Sequence, residues 1–374
     1  MDYKEDIIIM KSGNFYVPEK RMIPRNMELC IAMNCLPFDY DPDAKCPEIE
    51  KAFYIQWKND WESIDLLLQF IYYSMKHTHK YKAILCMIGE PDSGKTQILE
   101  LIRHFIGYEG CQAISLGKMG RPFELYRARN SNLLICDDLH VTPHDLQDGS
   151  LIENLKSIPS GVPIRLEKKG GEIISRALPG QIIIAGNEPP KIPQLSNALA
   201  NRLYFLNFPH VFIRGKDMNT DILNTWLKEL PGLMNKVLDA GEKLEKNRGF
   251  IEPQSSAEIR SRFEGGSSPI RKFVRLWFDL NMPDDKIKYF TSIGNMKTYY
   301  KQYCEEEGIN EVSPGQLSDA LEAMIEIRKD ATNIKLPDAK TGELKWKRVR
   351  GWIGIRRKGT SGNPKDEIGK TGEF

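Results

Sequence analysis

The apolar positions of this chain change their spacing as one moves along it. Within residues 60–77, Trp61, Ile64, Leu67, Leu68, Ile71 and Tyr72 recur at three- and four-residue steps, and Asn59 or Asp60 stands where a cap belongs. That spacing predicts an amphipathic helix. The spacing then shortens to compact apolar runs at 83–88, 113–116, 133–136 and 182–185, separated by helical patterns such as 97–105. Alternation of this kind predicts an α/β fold, a parallel sheet covered by helices. Before residue 60 no periodicity persists, and stretches such as Phe38-Asp39-Tyr40-Asp41-Pro42-Asp43 predict an irregular lead-in.

After His210 the pattern is mostly helical to about Leu244, then loop-like over 246–256, and Glu264-Gly265-Gly266-Ser267-Ser268-Pro269 reads as a linker. Beyond it, helices are expected at 270–280, at 296–307 and from Ser313-Pro314 to Met324, followed by two strand-like runs rich in Lys and Arg. Three short helices and a basic hairpin suggest a small winged-helix-like DNA-binding domain. The expected division is a lead-in and oligomerisation segment over 1–78, a nucleotide-binding core over 79–215, a helical extension over 216–264, the winged-helix-like domain over 265–358 and a disordered tail over 359–374.

Composition narrows the class only a little. A chain of 374 residues has room for two or three domains, and a formal net charge of +2 means that any basic surface must be local. The seven cysteines form no CxxC pair and have no histidines at zinc-finger spacing, so reduced thiols in a cytoplasmic protein are expected. The first ten residues put acidic side chains before a brief apolar run, the wrong order for a signal peptide, and no run reaches the roughly twenty apolar residues that span a bilayer. No membrane partner is expected.

The chemistry begins at Gly89-Glu90-Pro91-Asp92-Ser93-Gly94-Lys95-Thr96, which fits GxxxxGK[ST] between an apolar strand and a helix. Its glycines let backbone N–H groups wrap the phosphates of ATP, Lys95 neutralises the outer phosphates, and the Thr96 hydroxyl suits Mg²⁺. A carboxylate at a buried strand's end completes such a site, and Leu133-Leu134-Ile135-Cys136-Asp137-Asp138 offers two. Asp137 is expected to hold a Mg²⁺-bound water and Asp138 to act as general base. The alternative is a strand that simply meets a solvated loop.

The run 181–185 ends at Gly186-Asn187-Glu188-Pro189-Pro190, where the Asn187 amide, donor and acceptor at once, can orient water and sense the γ-phosphate; otherwise it starts a Pro-rich turn. Apolar runs flank Lys168-Lys169-Gly170-Gly171, predicting a hairpin whose tip lysines contact a DNA backbone or merely face water. Arg202 precedes an apolar segment downstream of Asn187. In a ring it can reach a neighbour's γ-phosphate, with Arg214 and Arg176 as rivals; without a ring it is a surface ion pair. Near the carboxyl terminus Lys347, Arg348 and Arg350 interleave with Trp346 and Trp352, as suits DNA or a protected basic edge strand.

The order of phosphate loop, Asp-Asp strand, lysine hairpin, Asn strand and arginine resembles the superfamily 3 helicases of the AAA+ class, in particular the helicase portion of phage and plasmid primase-helicases and primase-polymerases. The segments Asp39-Tyr40-Asp41-Pro42-Asp43-Ala44, Pro159-Ser160-Gly161-Val162-Pro163-Ile164-Arg165 and Asn187-Glu188-Pro189-Pro190 add to the likeness, which covers residues 10–215 best. The resemblance implies an AAA+-like core, a homo-oligomeric, hexameric ring, DNA in its channel, Lys168 or Lys169 on the DNA backbone and Arg202 as the finger. It also implies an upstream primase or polymerase domain as partner. Many such relatives carry Glu where Asp138 stands and a second arginine where Asn201 stands. The expected function is therefore ATP-dependent DNA unwinding or translocation in phage or plasmid replication. The alternatives are a ring-forming DNA-loading module with weak hydrolysis and, from another class, a small-molecule P-loop kinase.

Overall fold

The computed structural model describes residues 6–25, 34–76, 78–146, 149–190, 197–213, 215–219, 221–257, 259–260, 263, 269–280, 290–307, 311–322, 327–337, 344–353 and 355–358. The chain divides into two compact units, Met1–Phe263 and Glu264–Phe374.

The lead-in is more ordered than its composition predicts. Strands β1 (Ile7–Ile9), β2 (Asn14–Tyr16) and β3 (Arg21–Ile23) form an antiparallel meander, each too short to show a period. Helix α1 (Pro47–Trp57) follows, with Pro47 opening it and Glu48 and Glu50 in its first turn, as the N-terminal dipole favours. Its buried Ile49, Phe53, Gln56 and Trp57 lie at helical spacing, a signal hidden by the Pro- and Asp-rich context. Helix α2 (Trp61–Met75) is capped by the Asp60 carboxylate, which accepts from Ser63 N–H at 3.1 Å. It is not amphipathic: Ser63, Gln69 and Ser74 are buried along with its apolar residues, because the helix lies in the interior of the unit.

The central elements are β4 (Ile84–Ile88), α3 (Lys95–Ile106), β5 (Cys111–Ala113), α4 (Pro122–Arg127), β6 (Leu133–Cys136) and α5 (Ser150–Ser157). The hairpin β7 (Ile164–Glu167) and β8 (Ile173–Arg176), β9 (Gln181–Gly186), α6 (Asn197–Ala200) and β10 (Leu203–Asn207) follow. The main sheet has five parallel strands in the order β10-β4-β9-β6-β5. Successive side chains alternate across it. Leu85, Met87, Leu133, Ile135 and Ile183 pack with Leu67 and Ile102 on one face, whereas Ile84, Cys86, Leu134, Cys136 and Ile184 pack with Leu125 and Leu155 on the other. Burial on both faces is why these strands read as unbroken apolar runs. The expected strand over 113–116 sits two residues earlier, since a 3-10 turn begins at Leu116. The segment after His210 forms α7 (Ile222–Trp226) and α8 (Leu230–Asn247).

The second unit contains α9 (Pro269–Trp277), β11 (Phe278–Leu280), β12 (Phe290–Ser292), α10 (Ile293–Glu307), α11 (Pro314–Glu322), β13 (Arg328–Pro337), β14 (Leu344–Ile353) and β15 (Ile355–Arg357). Its strands are ordered β12-β14-β13 and β11-β15 around a core of Phe273, Tyr300, Tyr303, Leu321, Trp352 and Ile355. Residues 278–280, expected to end a helix, leave it to pair antiparallel with β15, Phe278 opposite Arg357. The linker over 264–268, the end of the third helix at Met324 and the tail over 359–374 lie outside the described residues. Among the described residues no helix is long and apolar enough to cross a membrane.

Candidate functional site

The carboxyl ends of β4, β9 and β6 emerge side by side on one edge of the sheet, with β9 in the middle. At a strand spacing near 4.8 Å, the loop after β4 and the aspartates after β6 start about 10 Å apart. Asn187, just past β9, lies between them.

The loop after β4 is tied down by its backbone. Gly89 N–H donates to the Gly186 carbonyl at 3.3 Å, and Phe208 N–H donates to the Ile88 carbonyl at 2.8 Å. A Cβ on Gly89 would lie 2.7 Å from the Phe208 carbonyl oxygen, so no larger residue fits. Asp92 and Gly94 adopt left-handed conformations at φ 57° and 82°, turning the chain into α3. Lys95 curls back, its Nζ donating to the Gly89 carbonyl at 2.7 Å, the Glu90 carbonyl at 2.8 Å and Ser93 Oγ at 3.1 Å. Burial pulls the Lys95 pKa below the ordinary lysine value, while Glu90 and Asp92 oppose the shift. Glu90, Pro91, Asp92 and Thr96 are exposed, Ser93 is buried, and no acidic side chain occupies the first turn of α3. A helix N-terminus of this kind presents N–H groups and a positive dipole end without a competing carboxylate.

Asp137 and Asp138 are exposed at the end of β6 but differ in their partners. Asp137 Oδ2 lies 4.0 Å from Arg103 Nη2 on α3. Asp138 accepts from His140 N–H at 3.0 Å and bonds to the Ser115 hydroxyl; the backbone bond, then Ser115, hold its carboxyl below the usual range. Asp137, Leu139, His140, Val141, Gly186, Asn187 and Glu188 line an open cleft of about 640 Å³.

The other expected residues lie away from this edge. Arg202 precedes β10, whose register sets Leu203 opposite Ile84 and Asn207 opposite Ile88, so Arg202 is at the amino edge of the sheet. Its guanidinium donates to the Ala198 carbonyl and, at 2.9 Å, to Ser160 Oγ. Lys168 and Lys169 stand exposed at the tip of β7–β8, the turn closed by Gly171 N–H donating to the Lys168 carbonyl at 2.8 Å, with Gly170 at φ 68°. Arg348 and Arg350 are exposed on β14; Lys347 is on the same strand, its side chain outside the described residues, as is Arg214. Arg176 donates to Asn130 Oδ1 at 3.2 Å.

Sequence reasoning missed the segment that closes over the loop. Phe212 N–H donates to the Asp92 carbonyl at 3.0 Å, and its ring lies 3.0 Å from where a Cβ on Gly94 would be. The His210 ring packs edge-on against Phe212 at 4.6 Å, and His210 Nε2 is 2.9 Å from Asp217 Oδ2. Buried Gln56, its amide oriented to satisfy both neighbours, donates to the Ser93 carbonyl at 3.0 Å and accepts from His210 N–H at 3.2 Å. Nothing local in the sequence announces these contacts. Arg103 was missed as well, although its position seven residues after Thr96 puts it on that residue's face of α3.

A family of unknown function (DUF5906) matches residues 87–202, from the end of β4 to Arg202. Among curated proteins, V13 of Sputnik virophage, which carries a helicase name, is 20% identical over 298 residues, 75% of this chain and 35% of that protein. The chain thus spans about a third of that relative's length. Two apo structures of the NrS-1 C-terminal region are similar in fold, each with a TM-score of 0.51, at 12% and 13% identity, covering 85% of this chain and 79% of theirs. Relatedness to helicase-type proteins is distant, and the shared fold is α/β with a parallel sheet.

Proposed function

We propose that this chain is an ATP-driven motor acting on DNA, a helicase or translocase of the superfamily 3 type. The observation that carries the reading is the shared edge: a phosphate loop, Asn187 and the Asp137-Asp138 pair at the ends of three adjacent parallel strands. Ligands of open α/β sheets bind at such carboxyl ends. The loop fits a nucleoside triphosphate because Gly89 leaves no room for a Cβ, Gly94 turns the chain at φ 82° and the first turn of α3 carries no acid.

The donor set is thin, one hydroxyl and one exposed carboxylate, which suits Mg²⁺, an ion that keeps waters and takes further ligands from phosphates. Thr96 and Asp137 are the residues to hold it, and the ion supplies charge neutralisation to the phosphates. Lys95 moves from the loop carbonyls to the phosphates, Asn187 orients the attacking water, and Asp138 accepts its proton. Arg202 serves a neighbouring subunit in a ring, and the Lys168-Lys169 tip tracks DNA.

Hydrolysis measured with and without single-stranded DNA tests the proposal, using wild type and Asp138→Asn in samples whose mass reports assembly. Strong stimulation, lost in the variant and confined to the oligomer, is expected; turnover by a lone monomer breaks the reading. One observation favours a second reading, a DNA-loading ring with weak hydrolysis. The Asp138 carboxylate is already engaged by His140 and Ser115, and its lowered pKa makes it a poorer base. An assembled ring that DNA does not stimulate supports that reading.

A further inference from the structure

The second unit spreads its charges unevenly, although Lys297 and Lys301 are exposed along α10 and Asp330 lies on β13. Helix α10 ends in Glu305, Glu306 and Glu307, Glu311 is exposed ahead of α11, and α11 exposes Asp319 and Glu322. The β13–β14 hairpin and β15 carry Lys329, Arg348, Arg350, Arg356 and Arg357 instead.

Most of those cations are occupied in holding the unit together. Lys329 Nζ donates to Ser318 Oγ at 2.8 Å and Glu322 Oε1 at 3.1 Å. Arg356 Nη2 faces Asp279 Oδ2 at 3.5 Å, and the Arg357 guanidinium lies over the Tyr299 and Trp277 rings at 4.2 and 5.0 Å. Arg348 and Arg350 differ: both are exposed, and among the described residues none pairs with either. Two positions apart on one strand, they share a face and are separated by roughly 7 Å, a reach suited to neighbouring phosphates.

The start of α11 offers nothing comparable. Its first turn is Pro314, Gly315 and Gln316, and only Gln316 has a side chain able to read a base edge. That side chain is already used: Gln316 Oε1 accepts from Ser313 N–H at 3.0 Å while Ser313 Oγ accepts from Gln316 N–H at 3.3 Å, a reciprocal capping box. Glu311 and Asp319 on either side repel a phosphate backbone.

We propose that this unit grips the sugar–phosphate backbone of nucleic acid through the β14 face bearing Arg348 and Arg350, and that α11 stays out of the groove. The inference rests on the nucleic-acid reading above and adds which surface makes the contact. Contact by two backbone-directed arginines gives affinity without sequence readout.

The test is fluorescence anisotropy with a labelled DNA duplex over a range of salt, in a full-length Lys168→Ala/Lys169→Ala background that removes the other basic tip. Adding Arg348→Ala and Arg350→Ala is expected to weaken binding about tenfold or more and to flatten the salt dependence by about 1.8, at 0.9 for each lost phosphate contact. Adding Asp319→Arg is expected to leave affinity within about twofold. Both sites are exposed, and unchanged thermal midpoints check that the fold is intact. Unchanged binding in the double-arginine variant, or a tenfold change in the Asp319 variant, overturns the inference. So does a background that no longer binds, because the first hairpin then carries the whole contact. If the wild-type chain itself fails to bind any nucleic acid at low salt, the functional reading falls first.

Discussion

The carboxyl and amino edges of the five-stranded sheet carry different kinds of chemistry. At the carboxyl edge the strands run out into Gly89, Asn187 and Asp137; Asn187 and Asp137 are exposed on an open cleft, and Lys95 is held by residues of its own loop. At the amino edge two polar side chains are tied to the chain itself. Gln181 is fully buried and donates to the Thr78 carbonyl at 2.8 Å, and Arg202 is tied to Ala198 and Ser160. A strand of five residues, about 16 Å at 3.3 Å per residue, separates Arg202 from the level of the loop after β4 in its own chain. Within one subunit Arg202 is a structural tie. Any action on a phosphate must cross a subunit boundary, and must first exchange the contacts to Ala198 and Ser160.

The largest expected effect breaks the carboxyl edge. Lys95→Ala removes the only cation of the loop, and nucleotide affinity measured by titration calorimetry should fall about a hundredfold or more, with hydrolysis lost. Binding within about threefold of wild type contradicts the assignment of the loop. The next effect sharpens the contrast between edges. Arg202→Ala should keep nucleotide affinity within about twofold while turnover falls by about 10³, the low end for an arginine finger. Mixing Lys95→Ala with Arg202→Ala subunits should restore part of the activity, because some interfaces then join an intact loop to an intact arginine. Loss of stability in Arg202→Ala without recovery on mixing leaves the residue as a tie and nothing more.

How much of this was legible follows from where each signal lies. The run Leu133–Cys136 announced β6 correctly because burial on both sheet faces makes a strand uniformly apolar. The strand–loop–helix setting of residues 89–96 was legible because its signal is local, eight consecutive residues between a strand and a helix. By contrast, Leu203 to Asn207 looked like an apolar edge; only its pairing with β4, more than a hundred residues earlier, makes it β10. The same holds for Phe212, whose place against Gly94 depends on the chain returning over the loop after β10. The short strands β1 to β3 lack the length for a period to appear, and α1 was hidden by neighbouring prolines and aspartates. Residues 278–280 continue the apolar spacing of α9, yet pairing with β15 draws them into a strand. Misreadings thus fall where a long-range contact overrides local spacing, or where an element is too short or too rich in Pro and Asp around it to show a period.

The smallest expected effect concerns the Lys168-Lys169 tip, which belongs to neither edge of the main sheet. Its turn is closed by backbone bonds, Lys168 N–H to the Glu172 carbonyl at 3.1 Å and Gly171 N–H to the Lys168 carbonyl at 2.8 Å, and needs no ammonium group. Replacing both lysines with alanine should therefore leave the hairpin and basal hydrolysis intact while removing two exposed charges. Affinity for single-stranded DNA should drop by a few fold, and the slope of log affinity against log salt should shrink by about 1.4, at 0.7 for each single-strand contact. Because the turn survives the substitution, a smaller slope reports lost phosphate contacts and not a damaged fold. An unchanged slope makes the tip a solvated turn, leaving the exposed arginines of the second unit as the surface through which charge meets nucleic acid.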